Sequence, residues 1–269
     1  MKDTKKSSFA KPELSTEDLT KALYHITKEL DASNALLRKT QQQKDLLLAN
    51  ISHDLRSPVT AIRNSIDYLL SLEEPTKEEI TDTLSLIRRR SVYLETLIND
   101  VFLLSSIEVN DALFHMEKVN LTYILEDFYF TTLEDNRYKD RTLSLKVAPD
   151  LEALVSVDTK MFVRVLDNLF TNALKYSYKD ASITLGAFLE KQMVHIYVED
   201  TGIGIEPEHL EHIFEASYMV ESARTPKEST GTGLGLSIAK AIICQFHGSI
   251  WCESTPQMGS TFHITLPLT

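Results

Sequence analysis

The stretch Asn50-Ile-Ser-His-Asp-Leu-Arg-Ser-Pro-Val-Thr-Ala-Ile62 decides the fold of the first part of the chain. It lies in a segment, from Thr16 to about Leu72, that contains no glycine and whose only proline is Pro58. Apolar residues recur along this segment at the three- and four-residue steps of a helix. On such a helix, an arc of about 80° around the axis contains the apolar residues Ile51, Leu55, Val59, Ile62, Ile66 and Leu69. We therefore expect one long helix with a narrow apolar face.

The residues before this stretch carry a weaker apolar seam. Leu23, Leu30, Leu37 and Ile51 share one heptad position, which Lys44 interrupts. A solvated single helix is the alternative interpretation. A paired coiled coil is favoured, because an isolated helix could not bury this seam.

A second helix follows after a break at residues 73–79. Thr76 is placed to cap it, its first turn is acidic, and it is expected to end near Asn110. Its apolar residues again recur at helical spacing: Ile80, Leu84, Ile87, Leu94, Ile98 and Val101. Two antiparallel helices alone form a poor core, whereas two such hairpins form a four-helix bundle. The sequence therefore predicts a homodimer.

Composition excludes several classes of protein. A net charge of -11 argues against binding to nucleic acid. The chain has 2 cysteines, too few and too isolated for a disulfide framework or a zinc site. No apolar run approaches the roughly 18 residues that span a bilayer, and the lysine-rich start lacks the apolar stretch of a signal peptide. We expect a soluble, cytoplasmic chain with no membrane segment.

His53 lies on the polar side of the predicted helix, about 160° from the middle of the apolar stripe. An exposed histidine on a polar face is usually an ordinary surface residue, but two neighbours point to chemistry. Pro58 cannot donate a hydrogen bond to the Asp54 carbonyl, which loosens the helix beside the histidine. The Asp54 carboxylate can accept the Nδ1 proton and leave Nε2 free as a nucleophile.

After Asn110 the pattern changes to strands alternating with helices, which predicts a separate α/β domain. Alternating apolar residues indicate strands around residues 143–147, 183–187, 194–198 and 262–266. Helices are expected near residues 122–138, 159–176 and 234–247. The overall fold class is α+β, with a sheet covered on one face by helices.

Three polar patches of this domain could hold a nucleotide. On the helix near residues 159–176, Asn168, Asn172 and Lys175 share about 60° of arc, where amide oxygens suit magnesium and lysine suits phosphate. Taken alone, this trio would be a solvated helix face.

The other two patches are rich in glycine. Asp200-Thr-Gly-Ile-Gly204 follows a strand, so its carboxylate could accept from an adenine amine while Gly202 and Gly204 let the backbone approach the ring. The alternative interpretation of this segment is a tight turn at the end of a strand. Gly231-Thr-Gly-Leu-Gly235 opens a helix, whose free N–H groups suit phosphates. Its spacing differs from a dinucleotide-binding fingerprint.

Together these motifs resemble those of sensor histidine kinases. Ser52-His-Asp-Leu-Arg-Ser-Pro58 resembles the H-box, whose usual form is Phe-Ser-His-Glu-Leu-Arg-Thr-Pro-Leu. Asn168-Leu-Phe-Thr-Asn-Ala-Leu-Lys-Tyr176 and the two glycine patches resemble the N, G1 and G2 boxes of the GHKL ATPase superfamily. The closing segment Gly259-Ser-Thr-Phe262 also resembles the family's last strand.

The resemblance implies a catalytic core in three parts: a tail and coiled-coil signal helix over residues 1–44, a dimerisation and phosphotransfer hairpin over 45–109, and an ATP-binding sandwich of the GHKL (Bergerat) type over 110–269. It implies Mg²⁺ and ATP as cofactors, with Asn172 as the metal ligand. The ATP-binding residues it implies are Asn168, Asn172, Lys175, Tyr176, Asp200, Gly202, Gly204, Gly231, Gly233, Gly235 and Thr261.

The implied reaction is autophosphorylation of His53 with Asp54 as base, then transfer to an aspartate of a response regulator. The residue four past the histidine orients water for phosphatase activity in the family. Ser57 stands there, where threonine or asparagine is usual. Nothing before the coil resembles a sensor, so we expect the signal to come from a preceding region or from another protein. A GHKL ATPase that phosphorylates no protein, and a non-catalytic or phosphatase-biased dimer, are the alternatives.

Overall fold

A computed structural model of the chain describes residues 16–109, 114–148, 151–218 and 232–269. The chain divides into two units, residues 1–50 and 51–269. In the first unit the described part is helical throughout, and Leu23, Ile26, Leu30 and Leu37 are exposed. Within the described residues, no helix is long and apolar enough to cross a membrane.

The first helix, α1, spans Thr16–Ser71 with Pro58 inside it, and the second, α2, spans Lys77–Val109. Both agree with the expected hairpin. The turn ends in a capping box, in which the Glu79 N–H donates to Thr76 Oγ1 at 3.2 Å and the Thr76 N–H donates to Glu79 Oε2 at 2.9 Å. Thr76 therefore starts α2, as its position in the sequence predicts.

The hairpin leaves an apolar surface uncovered. Its exposed apolar side chains include Val59, Ile66, Leu70, Ile80, Leu84, Val92, Ile98 and Phe102. At the far end of α2, by contrast, Leu97, Leu103, Leu104 and Ile107 are buried. Here α2 packs against a helix of the second domain.

The second domain contains a sheet of 5 strands. In chain order the strands of the domain are β1 (Glu117–Asn120), β2 (Thr142–Val147), β3 (Leu154–Val157), β4 (Ser182–Glu190), β5 (Met193–Asp200), β6 (Ser249–Thr255) and β7 (Gly259–Pro267). The main sheet has the order β2-β4-β5-β7-β6, and β1 pairs with β3 in a small second sheet. Strand β2 is parallel to β4, and the other neighbours are antiparallel.

The helices of this domain are α3 (Leu121–Glu134), α4 (Thr159–Lys175), α5 (Pro207–Leu210) and α6 (Gly235–Gln245). Helix α3 contacts β2, α4 contacts β4 and β5, and α6 contacts β6. The apolar face of α4 is fully covered: Phe162, Leu166, Leu169 and Ala173 are at most 1% exposed. The predicted cover of helices over a sheet is confirmed, whereas β1, β3 and β6 are additional strands.

Candidate functional site

His53 stands on the outer face of α1. Its side chain is 81% exposed, and the Asp54 side chain beside it is 20% exposed. The His53 Nδ1 atom lies 3.2 Å from Asp54 Oδ1. A carboxylate at this distance favours the tautomer in which Nδ1 carries the proton, so that Nε2 keeps its lone pair. The Nε2 atom can therefore act as a nucleophile toward a group arriving from solvent.

Ser57 lies one helical turn beyond His53 and is exposed, whereas Pro58 is buried. The structure thus places the serine on the face of the histidine, as the sequence predicts.

Tyr93 of α2 belongs to the surroundings of this site, although no motif pointed to it. Burial raises its pKa, and the charge of Asp54 raises it further. Tyr68 of α1 contacts Glu79 of α2 at 3.4 Å. Asp54 lies fourteen residues before Tyr68 on α1, and Tyr93 lies fourteen residues after Glu79 on α2. Because the two helices are antiparallel, Asp54 and Tyr93 lie at the same level of the hairpin.

Helix α4 carries the polar trio of the second domain. Asn168 donates from Nδ2 to the Gly235 carbonyl oxygen at 3.1 Å, which joins α4 to the start of α6. Asn172 is half-buried. The Lys175 Nζ atom lies 4.8 Å from the centroid of the Tyr176 ring. Asn168 therefore lies where α4 meets the glycine-rich start of α6, and Asn172 and Lys175 follow it along the same side of α4.

Asp200 ends β5 and is 5% exposed. Its Oδ1 atom accepts from the Gly202 N–H at 2.8 Å. Burial raises the pKa of Asp200 to about 6, although the N–H groups of Gly202 and Ser260 oppose this shift. The residue is therefore a buried acceptor that remains mostly ionised at neutral pH.

The glycines after Asp200 are required by close backbone contacts. A Cβ on Gly202 would lie 2.3 Å from the Tyr176 carbonyl oxygen, and that oxygen accepts from the Ile203 N–H at 2.9 Å. Gly204 has φ +69° and leaves no room for a Cβ against the Thr255 carbonyl. These contacts join the end of α4 to the loop after β5.

The strand register determines how Thr261 lies relative to Asp200. Asp200 pairs with Ser260, while Thr261 pairs with Glu199 and Glu253. Successive residues of a strand point to opposite faces, so Thr261 does not share the face of the Asp200 side chain. Thr261 nevertheless lines the same cavity of ≈240 Å³ as Asp200 and Ser260. Ser260 is buried directly opposite Asp200, and the role of Thr261 in binding ATP stays a prediction.

The third patch begins α6. Gly233 has φ +69°, and Gly235 is the first residue of the helix. Among the described residues, no side chain caps the first turn of α6, and the N–H groups of a helix start suit an anion. Thr232 is buried immediately before Gly233. Gly231 lies outside the described residues.

Two models of protein families match the chain. "His Kinase A (phospho-acceptor) domain" matches residues 43–110, and "Histidine kinase-, DNA gyrase B-, and HSP90-like ATPase" matches residues 157–269. The adaptive-response sensory kinase SasA of Synechocystis is 30% identical over 99% of this chain and 71% of its own length. The chain belongs to the sensor histidine kinases.

Other members of the family extend beyond the matched region. The sensor histidine kinase WalK of Bacillus subtilis is 30% identical over 93% of this chain, but the chain spans 40% of its length. The chain spans about half of two further curated relatives. The solved structure of histidine kinase ThkA in complex with response regulator protein TrrA has the same fold, with a TM-score of 0.66, 23% identity and coverage of 82% of this chain and 60% of that chain.

Proposed function

We propose that this histidine kinase core transfers the γ-phosphoryl group of ATP to His53 and then to an aspartate of a response regulator. The observation that carries the proposal is the exposed His53 with Asp54 at its Nδ1 atom, on the same chain as a domain of the histidine kinase ATPase family. An ATPase without a protein acceptor would not require this pair.

We assign the ATP site to the surface between α4, the loop after β5 and the start of α6. The Asp200 carboxylate would accept from the adenine amine, with Ser260 beside it. Asn168, Lys175 and Tyr176 would line the pocket, and Gly233 and Gly235 would direct backbone N–H groups to the phosphates.

Asn172 would be the protein ligand of Mg²⁺. The described residues contain no cluster of three or more acidic, histidine or cysteine side chains that could hold a metal. One amide oxygen nevertheless fits Mg²⁺, which usually keeps several waters and binds substrate phosphates. The ion would neutralise charge on the phosphates during transfer.

In the first step the His53 Nε2 lone pair forms a bond to the γ-phosphorus, the bond from phosphorus to the β,γ-bridging oxygen breaks, and ADP leaves. The ring gains positive charge as the N–P bond forms, and Asp54 stabilises that charge through Nδ1–H. Most of the catalysis is positioning and charge neutralisation.

In the second step a carboxylate of the response regulator attacks phosphorus and releases His53. ThkA, which shares the fold, is in complex with response regulator protein TrrA. Ser57 is the candidate for orienting water in a phosphatase reaction, because it is exposed one turn from His53. The response regulator would therefore approach the outer face of α1, which carries both His53 and Ser57.

A homodimer would cover the exposed apolar surface of the hairpin. Pairing two hairpins into a four-helix bundle buries side chains such as Leu84 and Ile98, which are 54% and 42% exposed in one chain. We place the protein in the cytoplasm, where ATP and response regulators occur.

Incubation with γ-labelled ATP and Mg²⁺ tests the proposal. We expect acid-labile label on the wild type and none on His53→Gln. His25→Gln is the matched control, because His25 is also an exposed histidine of α1, with Nδ1 3.3 Å from Glu29. Asp54→Asn should slow labelling by roughly 10²–10⁴-fold. Equal labelling of His53→Gln and the wild type would contradict the assignment.

Two other results would identify the alternatives. Steady release of phosphate without a labelled protein would favour a GHKL ATPase. Labelling that persists in Asn172→Ala would contradict the assignment of Asn172 as the metal ligand. A protein that binds the response regulator but is never labelled would favour the non-catalytic dimer.

A further inference from the structure

Asp100 of α2 contacts two separate elements of the ATP-binding domain. Its side chain is 10% exposed, and its Oδ1 atom accepts from Arg164 Nη2 of α4 at 2.5 Å. Its Oδ2 atom accepts from Thr232 Oγ1 at 2.8 Å. These partners lie 64 and 132 residues further along the chain. One buried carboxylate therefore connects the hairpin to the domain that we propose binds ATP.

Both partners belong to the surroundings of the proposed phosphate site. Arg164 lies one turn before Asn168 on α4. Thr232 Oγ1 also accepts from the Leu234 N–H at 3.3 Å, immediately before α6. The negative charge of Asp100 thus lies beside the helix end where we place the phosphates. Like charges repel strongly where water is scarce.

The contact holds the domain away from the level of His53. Asp54 lies opposite Tyr93 in the hairpin, as described above. From Tyr93 to Asp100, α2 advances about two turns, or about 10 Å. Among the described residues, none from the ATP-binding domain forms a hydrogen bond or ion pair with His53, whose side chain is 81% exposed.

We propose that Asp100 is a positioning residue that latches the ATP-binding domain to α2 below His53, and that the latch opens before His53 is phosphorylated. The inference rests on the proposed function. The phosphates of ATP and the Asp100 carboxylate repel each other, so bound ATP disfavours the arrangement in which Asp100 contacts Arg164 and Thr232. Because linkage is reciprocal, ATP weakens the latch, and loss of the latch strengthens ATP binding.

The variant Asp100→Asn tests the latch, because it keeps the shape of the side chain and removes its charge. We expect the initial rate of autophosphorylation to rise and the KM for ATP to fall, each by about 5-fold or more, within the usual range of coupling between sites. Asp82→Asn is the matched control, since Asp82 is an exposed acid of the same helix. It should behave as the wild type.

Arg164→Gln and the double variant Asp100→Asn/Arg164→Gln complete a double-mutant cycle. We expect Arg164→Gln to raise the rate as well, and the double variant to gain no more than the larger single effect. Fully additive effects would show that the two residues act independently and would overturn the latch. A rate that falls in Asp100→Asn but not in Asp82→Asn would also overturn it, because the contact would then belong to the productive arrangement.

Affinity for the non-hydrolysable analogue AMPPNP with Mg²⁺ gives a readout that does not depend on phosphoryl transfer. Measured on a His53→Gln background, Asp100→Asn should bind AMPPNP about 5-fold or more tightly than its parent. Unchanged or weaker binding would overturn the repulsion between Asp100 and ATP, whether or not the wild type autophosphorylates. If Asp100→Asn loses its cooperative thermal transition, Thr232→Val replaces it, with the same expected tighter binding and the same overturning result.

Discussion

The variant Asp200→Asn should make the protein more stable while weakening its binding of ATP. Burial raises the pKa of Asp200 from 3.8 to about 6. Each unit corresponds to about 1.4 kcal/mol, so the folded state disfavours the charged form by about 3 kcal/mol relative to the unfolded state. An asparagine carries no charge, but its single oxygen replaces two that can accept from the N–H groups of Gly202 and Ser260. Losing one such bond costs about 1 kcal/mol.

The net expectation is a gain of about 1–2 kcal/mol in the free energy of unfolding at pH 7.5, without nucleotide. For a domain of this size the thermal midpoint would rise by about 2–8 °C. Trp251 is the only tryptophan in the sequence and lies in β6, so its fluorescence reports on the sheet that contains Asp200. Under the same conditions, loss of the charged acceptor should weaken ATP binding by roughly 10-fold or more.

The pH dependence provides a second test. The folded wild type binds a proton at Asp200 at higher pH than the unfolded chain does, so this group stabilises the fold at low pH. That contribution is lost as the pH rises from about 4 to about 6. The difference in stability between Asp200→Asn and the wild type should therefore grow over this window. A variant that is less stable than the wild type at pH 7.5, or that binds ATP equally well, would refute the reasoning.

Three further variants test particular contacts. Gly202→Ala should weaken ATP binding and lower the thermal midpoint, because its Cβ would lie 2.3 Å from the Tyr176 carbonyl oxygen; an unchanged midpoint in Trp251 fluorescence would contradict the contact. Ser260→Val should weaken ATP binding more than Thr261→Val does, because Ser260 is the residue that pairs with Asp200; the reverse order in a titration would contradict this reasoning. Thr76→Ala removes a helix cap and should destabilise the hairpin by about 1 kcal/mol in denaturant unfolding, against Thr81→Ala as a control on the same helix.

Local patterns in the sequence were sufficient to predict the hairpin and most residues of the proposed site. The spacing of Ile51, Leu55 and Val59 predicted the helix, and the same geometry placed His53 on its outer face. Thr76 could be recognised because a capping box involves residues only three apart. The glycines after Asp200 could likewise be recognised as a turn motif in the sequence, although the contacts that require them, with the carbonyl groups of Tyr176 and Thr255, come from distant parts of the chain. Two of the missed strands, β1 and β3, have 4 residues each, which is too short for an alternating pattern to stand out.

The sequence by itself determined which residues lie on each helix, which segments alternate as strands, and which motifs carry the chemistry. Only the tertiary structure decided which face of β7 meets Asp200, because that depends on pairing with a distant strand and a shift of one residue exchanges the faces. It also decided that Asp100 meets Arg164 and Thr232. No local pattern encodes a contact between residues so far apart in the chain, since such a contact forms only where separately folded elements pack together.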